Sequence, residues 1–181
     1  HGVLASLMLG GGLRLGEACG LTWDSVSLGA AVVQVSRTRT LLAGEFVESE
    51  PKTRAGSRTL AIPDFTCRIL TEWFEVQRGS KTQCGTRWLG GSRVVTLPDG
   101  ATPSRTQAAY RLRTRALDAG VPPLRCQDLR HLSASLALAA GVPITEVSRR
   151  LGHANVSISA TTYAHALRAS DRYVAGATES A

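Results

Sequence analysis

The sequence predicts a mainly helical domain of the α+β class with a small antiparallel β-sheet. Apolar residues recur at helical spacing over most of the chain, whereas β-branched strand-like runs are concentrated between residues 31 and 62. The chain has 181 residues, of which 43% are hydrophobic, and this is enough for one sizeable core. We therefore expect one domain.

The first third of the chain predicts a broken helix followed by short strands. Residues 2–20 have apolar positions at helical spacing, and the glycines at 10–12 interrupt the pattern and permit a tight bend just before Arg14. Two later segments have strand character, residues 31–40 and 57–62. Turn residues lie between them, so we expect a small antiparallel sheet with Lys52 near a hairpin.

The rest of the chain predicts helices separated by exposed connections. The predicted helices cover residues 64–77, 102–119, 127–140, 143–151 and 156–163. Asp64 is a candidate N-cap for the first of them. Residues 79–102 are rich in Gly, Ser and Thr, and we expect an exposed connection there with a short strand at 94–97. Residues 174–181 are small and polar, which is typical of a flexible C-terminal tail.

The composition favours a polyanionic partner. The formal net charge is +7, the sequence pI is about 9.9, and Lys52 and Lys81 are the only lysines. Nearly all of the positive charge is therefore arginine, whose guanidinium binds phosphate oxygens through two parallel hydrogen bonds. High-GC codon usage also enriches arginine, so the charge alone does not identify DNA as the partner.

Several classes of protein are not favoured by the sequence. The four cysteines are far apart with no CxxC pair, which indicates reduced thiols in a cytoplasmic protein. The four histidines form no HExxH motif or other spaced metal pair, so we expect no metal cofactor. No apolar run approaches the roughly 20 residues that a membrane-spanning helix requires.

Five reactive residues stand in short motifs: Arg14 in GGGLRLGE, Lys52 in EPKTRAGSRTL, Arg130 in QDLRH, His153 in RRLGH and Tyr163 in TTYAH. These residue types are what a metal-free attack on a DNA phosphodiester would require, because cations offset the negative oxygens that repel a nucleophile. In this order and with these flanking residues, the chain resembles the catalytic domain of tyrosine recombinases, the phage integrase family. The resemblance covers about residues 5–168.

The resemblance implies a role for each of these residues and a reaction that needs neither a metal nor ATP. Arg14 and Arg130 would hold the non-bridging oxygens of the scissile phosphate, and His153 would hydrogen-bond the phosphate. Lys52 would supply the proton that the departing 5′ oxygen needs. A surface ion pair, a turn lysine and a helix-capping histidine are the ordinary alternatives for these residue types.

Tyr163 would be the nucleophile that forms a 3′-phosphotyrosyl link with DNA. Tyr110 and Tyr173 are competitors, and a buried structural tyrosine is the alternative. Tyr163 lies ten positions after His153 and is followed by Ala164 and His165, as in many phage integrases. A phenol has a pKa near 10 and needs cationic neighbours to react as phenolate at neutral pH.

Two further residues complete the predicted site. Glu17 follows Arg14 by three residues, where the family usually has an acidic residue that supports the active-site arginines, although an ordinary surface pair is an alternative. Gln127 departs from the family, whose HxxR motif begins with histidine. Glutamine can donate a hydrogen bond to a phosphate but cannot titrate. We expect either that the proton transfer is dispensable, that His131 or His165 partly compensates, or that the domain is slow.

Other arginines are candidates for DNA contacts. Arg111 and Arg115 share one helical face at i,i+4 spacing and could lie on a DNA backbone, although a solvated basic face is the alternative. Arg149 and Arg150 are candidate phosphate contacts in AGVPITEVSRRLGHANVS, a segment that also fits a helix-turn-helix of a non-catalytic regulator. A type IB topoisomerase-like enzyme is a third alternative.

The resemblance also implies partners and domains. Double-stranded DNA is the expected substrate, with four protomers assembling on it and a monomer in its absence. We expect residues 1–173 to form the catalytic domain of a longer protein, since the chain begins at His1 and supplies no N-terminal DNA-binding domain. The expected location is the bacterial cytoplasm, where the protein would act at the nucleoid.

Overall fold

The computed structural model describes residues 2–42, 45–49 and 56–163, and it confirms the predicted fold class. The helices in these ranges are α1 Gly2–Gly10, α2 Leu15–Gly20, α3 Asp64–Cys84, α4 Arg105–Asp118, α5 Cys126–Ala139, α6 Ile144–Leu151 and α7 Val156–Thr162. The strands are β1 Val26–Ser27, β2 Val32–Val35, β3 Thr38–Leu42, β4 Glu45–Ser49 and β5 Arg58–Ala61. None of the helices that the structure describes has the length and apolar character to cross a membrane.

The strands form two antiparallel sheets in place of the single sheet that the sequence suggested. One sheet has the order β1-β2-β5, with Val33 opposite Leu60, and the other pairs β3 with β4, with Arg39 opposite Glu48. Lys52 and its predicted hairpin lie outside the described residues, as does the predicted tail at 174–181.

Two apolar clusters hold the fold together. The larger cluster packs α1 and α3 against the three-stranded sheet, with Leu7, Val33 and Leu70 fully buried. The smaller cluster joins α5, α6 and the end of α7, and it includes Leu151 and the ring of Tyr163. Tyr163 is therefore held by packing at the point where α7 ends.

The predicted exposed connection at 79–102 is wrong in two respects. Helix α3 continues to Cys84, beyond the predicted end at residue 77. Val94 and Val95 are buried, and the Val94 backbone N–H donates to the Leu21 carbonyl at 3.0 Å. The indole of Trp73 on α3 donates to the Val94 carbonyl at 2.7 Å. A few apolar residues thus anchor a polar segment across the core, although they do not form a regular strand.

Glycines set the geometry of the two turns beside the cleft. Gly12, between α1 and α2, has φ of 66°, and a Cβ there would lie 3.1 Å from the Leu151 side chain. Gly152 ends α6 in the left-handed conformation with φ of 66°. Left-handed backbone is tolerated best by glycine. Both turns bring backbone carbonyls towards the arginines described below.

Candidate active site

One cleft of about 540 Å³ brings together side chains from both ends of the chain. Five of the predicted site residues line it: Arg14, Gln127, Arg130, His153 and Tyr163. They come from the start of α2, from α5, from the turn after α6 and from the end of α7. Lys52 is the sixth predicted residue, and it lies outside the described part of the chain.

Glu17 is buried at the centre of a group of three arginines. Its side chain is 3% exposed, and Arg58 binds both of its carboxylate oxygens at 2.9 and 3.1 Å. Arg14 donates to it from the guanidinium and from the backbone N–H, both at 2.8 Å, and Arg130 lies 3.8 Å away. This arrangement differs from the surface pair that was the alternative for Glu17.

The same three arginines bind three consecutive carbonyls at the end of α6. Arg58 Nε donates to the carbonyl of Arg150 at 2.7 Å, Arg130 to that of Leu151 at 2.6 Å, and Arg14 to that of Gly152 at 3.2 Å. The last carbonyls of a helix lack intrahelical partners and form the negative end of its dipole. The arginines therefore fix the turn that leads to His153 relative to α2, α5 and β5.

Arg58 was missed in the sequence analysis. It lies on β5 with its side chain 7% exposed, and it connects Glu17 to the end of α6. Arg58, Leu60 and Ile62 alternate at a period of two, and Leu60 and Ile62 are buried. Because alternate strand residues point to the same face, this pattern was a signal that the Arg58 side chain faces inward.

The charges in this cluster depend on one another. Burial lowers the pKa of Arg130 to about 10, and the charge of Arg14 adds to the effect. Burial alone would raise the pKa of Glu17, but hydrogen bonds and positive charge from Arg58 and Arg14 bring it below its ordinary value. Arg130 and Glu17 are therefore both ionised at neutral pH, in a group that contains three guanidinium groups and one carboxylate.

His153 is a neutral imidazole at pH 7. Burial lowers its pKa to about 4, and the positive charges of Arg130, Arg14 and Arg58 act in the same direction. Its Nδ1 lies 2.7 Å from the hydroxyl of Ser159 on α7. This contact joins the turn after α6 to the helix that ends at Tyr163. A neutral imidazole can donate one hydrogen bond and accept another.

The Tyr163 side chain is held at the edge of the cleft. The residue is 1% exposed, and its backbone N–H donates to the Ser159 carbonyl at 2.9 Å. Burial raises the pKa of its phenol, and the positive charge of Arg130 partly offsets this. Its hydroxyl lies 3.1 Å from Nδ1 of His131, which also lines the cleft. Of the two histidines considered as substitutes for Gln127, His165 lies outside the described residues.

Gln127 and His131 stand one turn apart on α5. Gln127 is exposed at the start of the helix, and both residues line the cleft. Residues four positions apart on a helix lie on the same face. An imidazole is therefore present in the cleft although the position where the family usually has histidine carries glutamine.

The four arginines predicted to contact DNA occupy different environments. Arg115 and Arg149 are exposed and pair with Asp118 at 3.8 Å and Glu146 at 2.6 Å. Arg111 is half-buried and lines a separate small cavity. Arg150 donates to the carbonyls of Gly10 and Ala61 at 2.6 and 2.9 Å, so its guanidinium ties α6 to the body of the domain. We retain Arg111, Arg115 and Arg149 as candidate DNA contacts and assign Arg150 a structural role.

A second charged cluster lies beside the cleft, and one of its members lines it. Arg39 on β3 lines the cleft and donates to Glu48 on β4 at 3.1 Å. Arg93 binds the same carboxylate, and Arg37 lies 4.0 Å from it. We did not predict these residues from the sequence. No group of three or more potential metal-binding side chains occurs within residues 2–42, 45–49 and 56–163.

Comparison with known proteins shows the family. The Phage integrase family profile matches residues 2–169. The tyrosine recombinase XerC-like protein of Caldanaerobacter subterraneus subsp. tengcongensis is 31% identical over 173 residues, covering 89% of this chain and 44% of that protein. The ICEBs1 integrase of Bacillus subtilis is 29% identical over 155 residues, which cover 85% of this chain and 42% of that protein. The chain thus spans less than half the length of these relatives.

Solved structures agree on the fold. The Tn1549 transposon integrase in complex with transposon right end DNA superposes with a TM-score of 0.76 at 19% identity, covering 96% of this chain and 58% of that one. The XerA recombinase gives a TM-score of 0.73 at 17% identity, and the superposition covers 94% of this chain and 57% of that one. The profile match over most of the chain shows that the chain belongs to the phage integrase family.

Proposed function

We propose that this chain is the catalytic domain of a site-specific DNA recombinase of the integrase type. It cuts one DNA strand by attack of Tyr163 on a phosphodiester, holds the 3′ end as a phosphotyrosyl link, and rejoins it to a 5′ hydroxyl. The observation that carries this proposal is the single cleft that collects Arg14, Arg130, His153 and Tyr163. A non-catalytic DNA-binding regulator would not require these four side chains to meet in one cleft.

The arginine cluster has the charge that a scissile phosphate requires. Arg14 is 45% exposed on the cleft side, and Arg130 also lines the cleft. A guanidinium has five N–H donors, and the contacts to Glu17 and to backbone carbonyls leave donors available on both residues. Bound phosphate would balance the excess positive charge, and the same cations would stabilise the charge that develops in the transition state.

His153 and Lys52 complete the proposed reaction. If Ser159 donates to Nδ1 of the neutral His153, the imidazole carries its proton on Nε2 and can donate it to a phosphate oxygen. We assign Lys52 as the acid that protonates the departing 5′ oxygen, by resemblance to the family hairpin. The energy of the broken phosphodiester is stored in the phosphotyrosyl link, so the strand can be rejoined without ATP.

Gln127 is proposed to hydrogen-bond the bound phosphate without exchanging a proton. We expect Gln127→Ala to slow covalent adduct formation roughly 10- to 150-fold, because a hydrogen bond to a charged group contributes about 1.5–3 kcal/mol and each 1.36 kcal/mol is tenfold in rate. The measurement is the rate of adduct formation at saturating DNA. Gln83→Ala is the matched control, since Gln83 is an exposed glutamine on α3 outside the cleft. An unchanged rate for Gln127→Ala would exclude this role.

We further propose that the partner is double-stranded DNA, on which four protomers assemble, and that the chain is monomeric without DNA. The Tn1549 integrase and the XerH recombinase, with similar folds, have been solved bound to DNA. The place of action would be the bacterial cytoplasm, at the nucleoid.

DNA binding by this chain should depend strongly on salt. The proposed contacts are mainly between arginines and phosphates, and each such contact releases a condensed counterion. We expect affinity for a duplex to fall roughly tenfold or more between about 50 and 200 mM salt. Fluorescence anisotropy across a salt series measures this. Affinity that stays constant over the series would count against a phosphate-binding surface.

The function is tested with nicked DNA that traps the covalent intermediate. Because the target sequence is unidentified, the probe is a pool of short nicked duplexes with randomised sequence. After cleavage near the nick, the short DNA fragment diffuses away, so the strand cannot be rejoined. We expect a protein-DNA adduct that survives denaturation, without added metal or ATP. No adduct from the pool, at protein concentrations that bind DNA, would contradict the proposed function.

A further inference from the structure

His131 is the side chain in contact with the atom that would attack DNA. Its Nδ1 lies 3.1 Å from the Tyr163 hydroxyl, within hydrogen-bond distance, and the two rings meet edge to face with centroids 5.7 Å apart. Both side chains line the cleft that contains Arg14 and Arg130. Tyr163 is buried, His131 is half-buried, and the contact between them is partly buried at the edge of the cleft.

The phenol of Tyr163 needs a proton acceptor before it can attack. Burial raises the pKa of Tyr163 in spite of the nearby Arg130, so the cleft does not itself convert the phenol to phenolate. Gln127 cannot accept a proton at neutral pH. Burial and the nearby arginines keep His153 neutral, and its Nδ1 lies at Ser159, so protonating it is unfavourable.

We propose that His131 is the general base that removes the proton from Tyr163, in place of the histidine that Gln127 replaces. This inference rests on the proposed function. Asp128 lies one turn before His131 on α5, and hydrogen bonds from Arg125 hold the pKa of this carboxyl below its ordinary value, so α5 places a negative charge one turn from the imidazole. Imidazole also titrates between about pH 5 and 8, which suits it to exchange a proton at neutral pH.

The proton balance of the step is complete. In the forward direction the Tyr163 proton moves to Nδ1 of His131, the phenolic oxygen forms a bond to phosphorus, and the bond from phosphorus to the 5′ oxygen breaks. The 5′ oxygen takes a proton from a separate acid, the role given above to Lys52. During rejoining, the attacking 5′ hydroxyl returns its proton to that acid, and the imidazolium of His131 reprotonates the departing tyrosine.

Two substitutions separate proton transfer from positioning. His131→Ala removes both the base and the hydrogen bond. His131→Asn places an amide near the Nδ1 position and can keep a hydrogen bond to Tyr163, but it cannot accept a proton. We expect both variants to form the adduct at least roughly 100-fold more slowly, with DNA affinity unchanged, because a positioned base contributes about 10²–10⁴-fold. Rescue of the rate by Asn would overturn the proposal in favour of a positioning role.

Chemical rescue provides a second readout. Imidazole added to the buffer should restore adduct formation by His131→Ala and leave the Tyr163→Phe protein inactive, because the missing base is replaced but the nucleophile is not. His131→Ala that reacts as fast as the unsubstituted protein would overturn the role of His131 while leaving the proposed function intact. No adduct from the unsubstituted protein would overturn both.

Discussion

Tyr163→Phe is expected to abolish the covalent protein-DNA adduct while DNA affinity stays within about twofold of the unsubstituted value. The substitution removes the hydroxyl that attacks phosphorus, and phenylalanine has no group that can form the ester. The buried ring and its packing in the smaller apolar cluster are preserved. The measurement combines denaturing electrophoresis of the adduct with anisotropy of the native complex.

Tyr110→Phe is the matched control for this prediction. Tyr110 is 70% exposed on α4 and lies outside the cleft. It was also an alternative candidate for the nucleophile in the sequence. Its substitution should leave the amount and the rate of adduct formation unchanged. An adduct that persists in Tyr163→Phe and disappears in Tyr110→Phe would show that the nucleophile has been assigned to the wrong residue.

Glu17→Gln is expected to reduce the free energy of unfolding by about 3–5 kcal/mol. It removes the carboxylate from between Arg14, Arg58 and Arg130 and leaves buried guanidinium groups without their counter-charge, which is the costly way to break a buried ion pair. Urea denaturation measures the change. Glu146→Gln is the control, because Glu146 pairs with Arg149 on the surface and should contribute less than about 1 kcal/mol.

The stabilisation from Glu17 should also depend on pH in a defined direction. Its pKa in the folded protein is below the ordinary value of 4.5. Folding therefore favours the ionised carboxylate, and this stabilisation is fully present above pH 4.5 and is lost as the pH falls through the folded pKa. The difference in stability between the unsubstituted protein and Glu17→Gln should narrow in acid. Equal effects of Glu17→Gln and Glu146→Gln at neutral pH would contradict the central role of Glu17.

The sequence was sufficient to predict most of the helices and several of the side chains that meet in the cleft. The helical spacing of apolar residues and the positions of glycines predicted the break between α1 and α2 and the series of C-terminal helices. Both signals are local properties of the chain. Arg14, Arg130, His153 and Tyr163 were selected by motif order, and the structure brings all four to one cleft. No spacing rule could have given their distances, since the contacts join residues as far apart as 14 and 152.

Long-range polar contacts were the part that the sequence did not reveal. Arg58 was overlooked because an arginine in a short strand is ordinarily exposed, and its partners Glu17 and Arg150 are distant in the chain. Val94 and Val95 are buried but were assigned to an exposed connection. A polar segment with only a few apolar residues shows no helical or strand-like spacing from which burial could be predicted. In both cases the fold supplies partners that local composition cannot indicate.

The most direct test of the account is to locate the DNA on the protein by mass spectrometry of the digested adduct. We predict one modified peptide, with a nucleotide joined through its 3′ phosphate to the oxygen of Tyr163. A nucleotide attached through its 5′ phosphate, or an attachment to Tyr110, Tyr173 or a serine, would contradict the proposed chemistry and the assignment of the cleft as the active site.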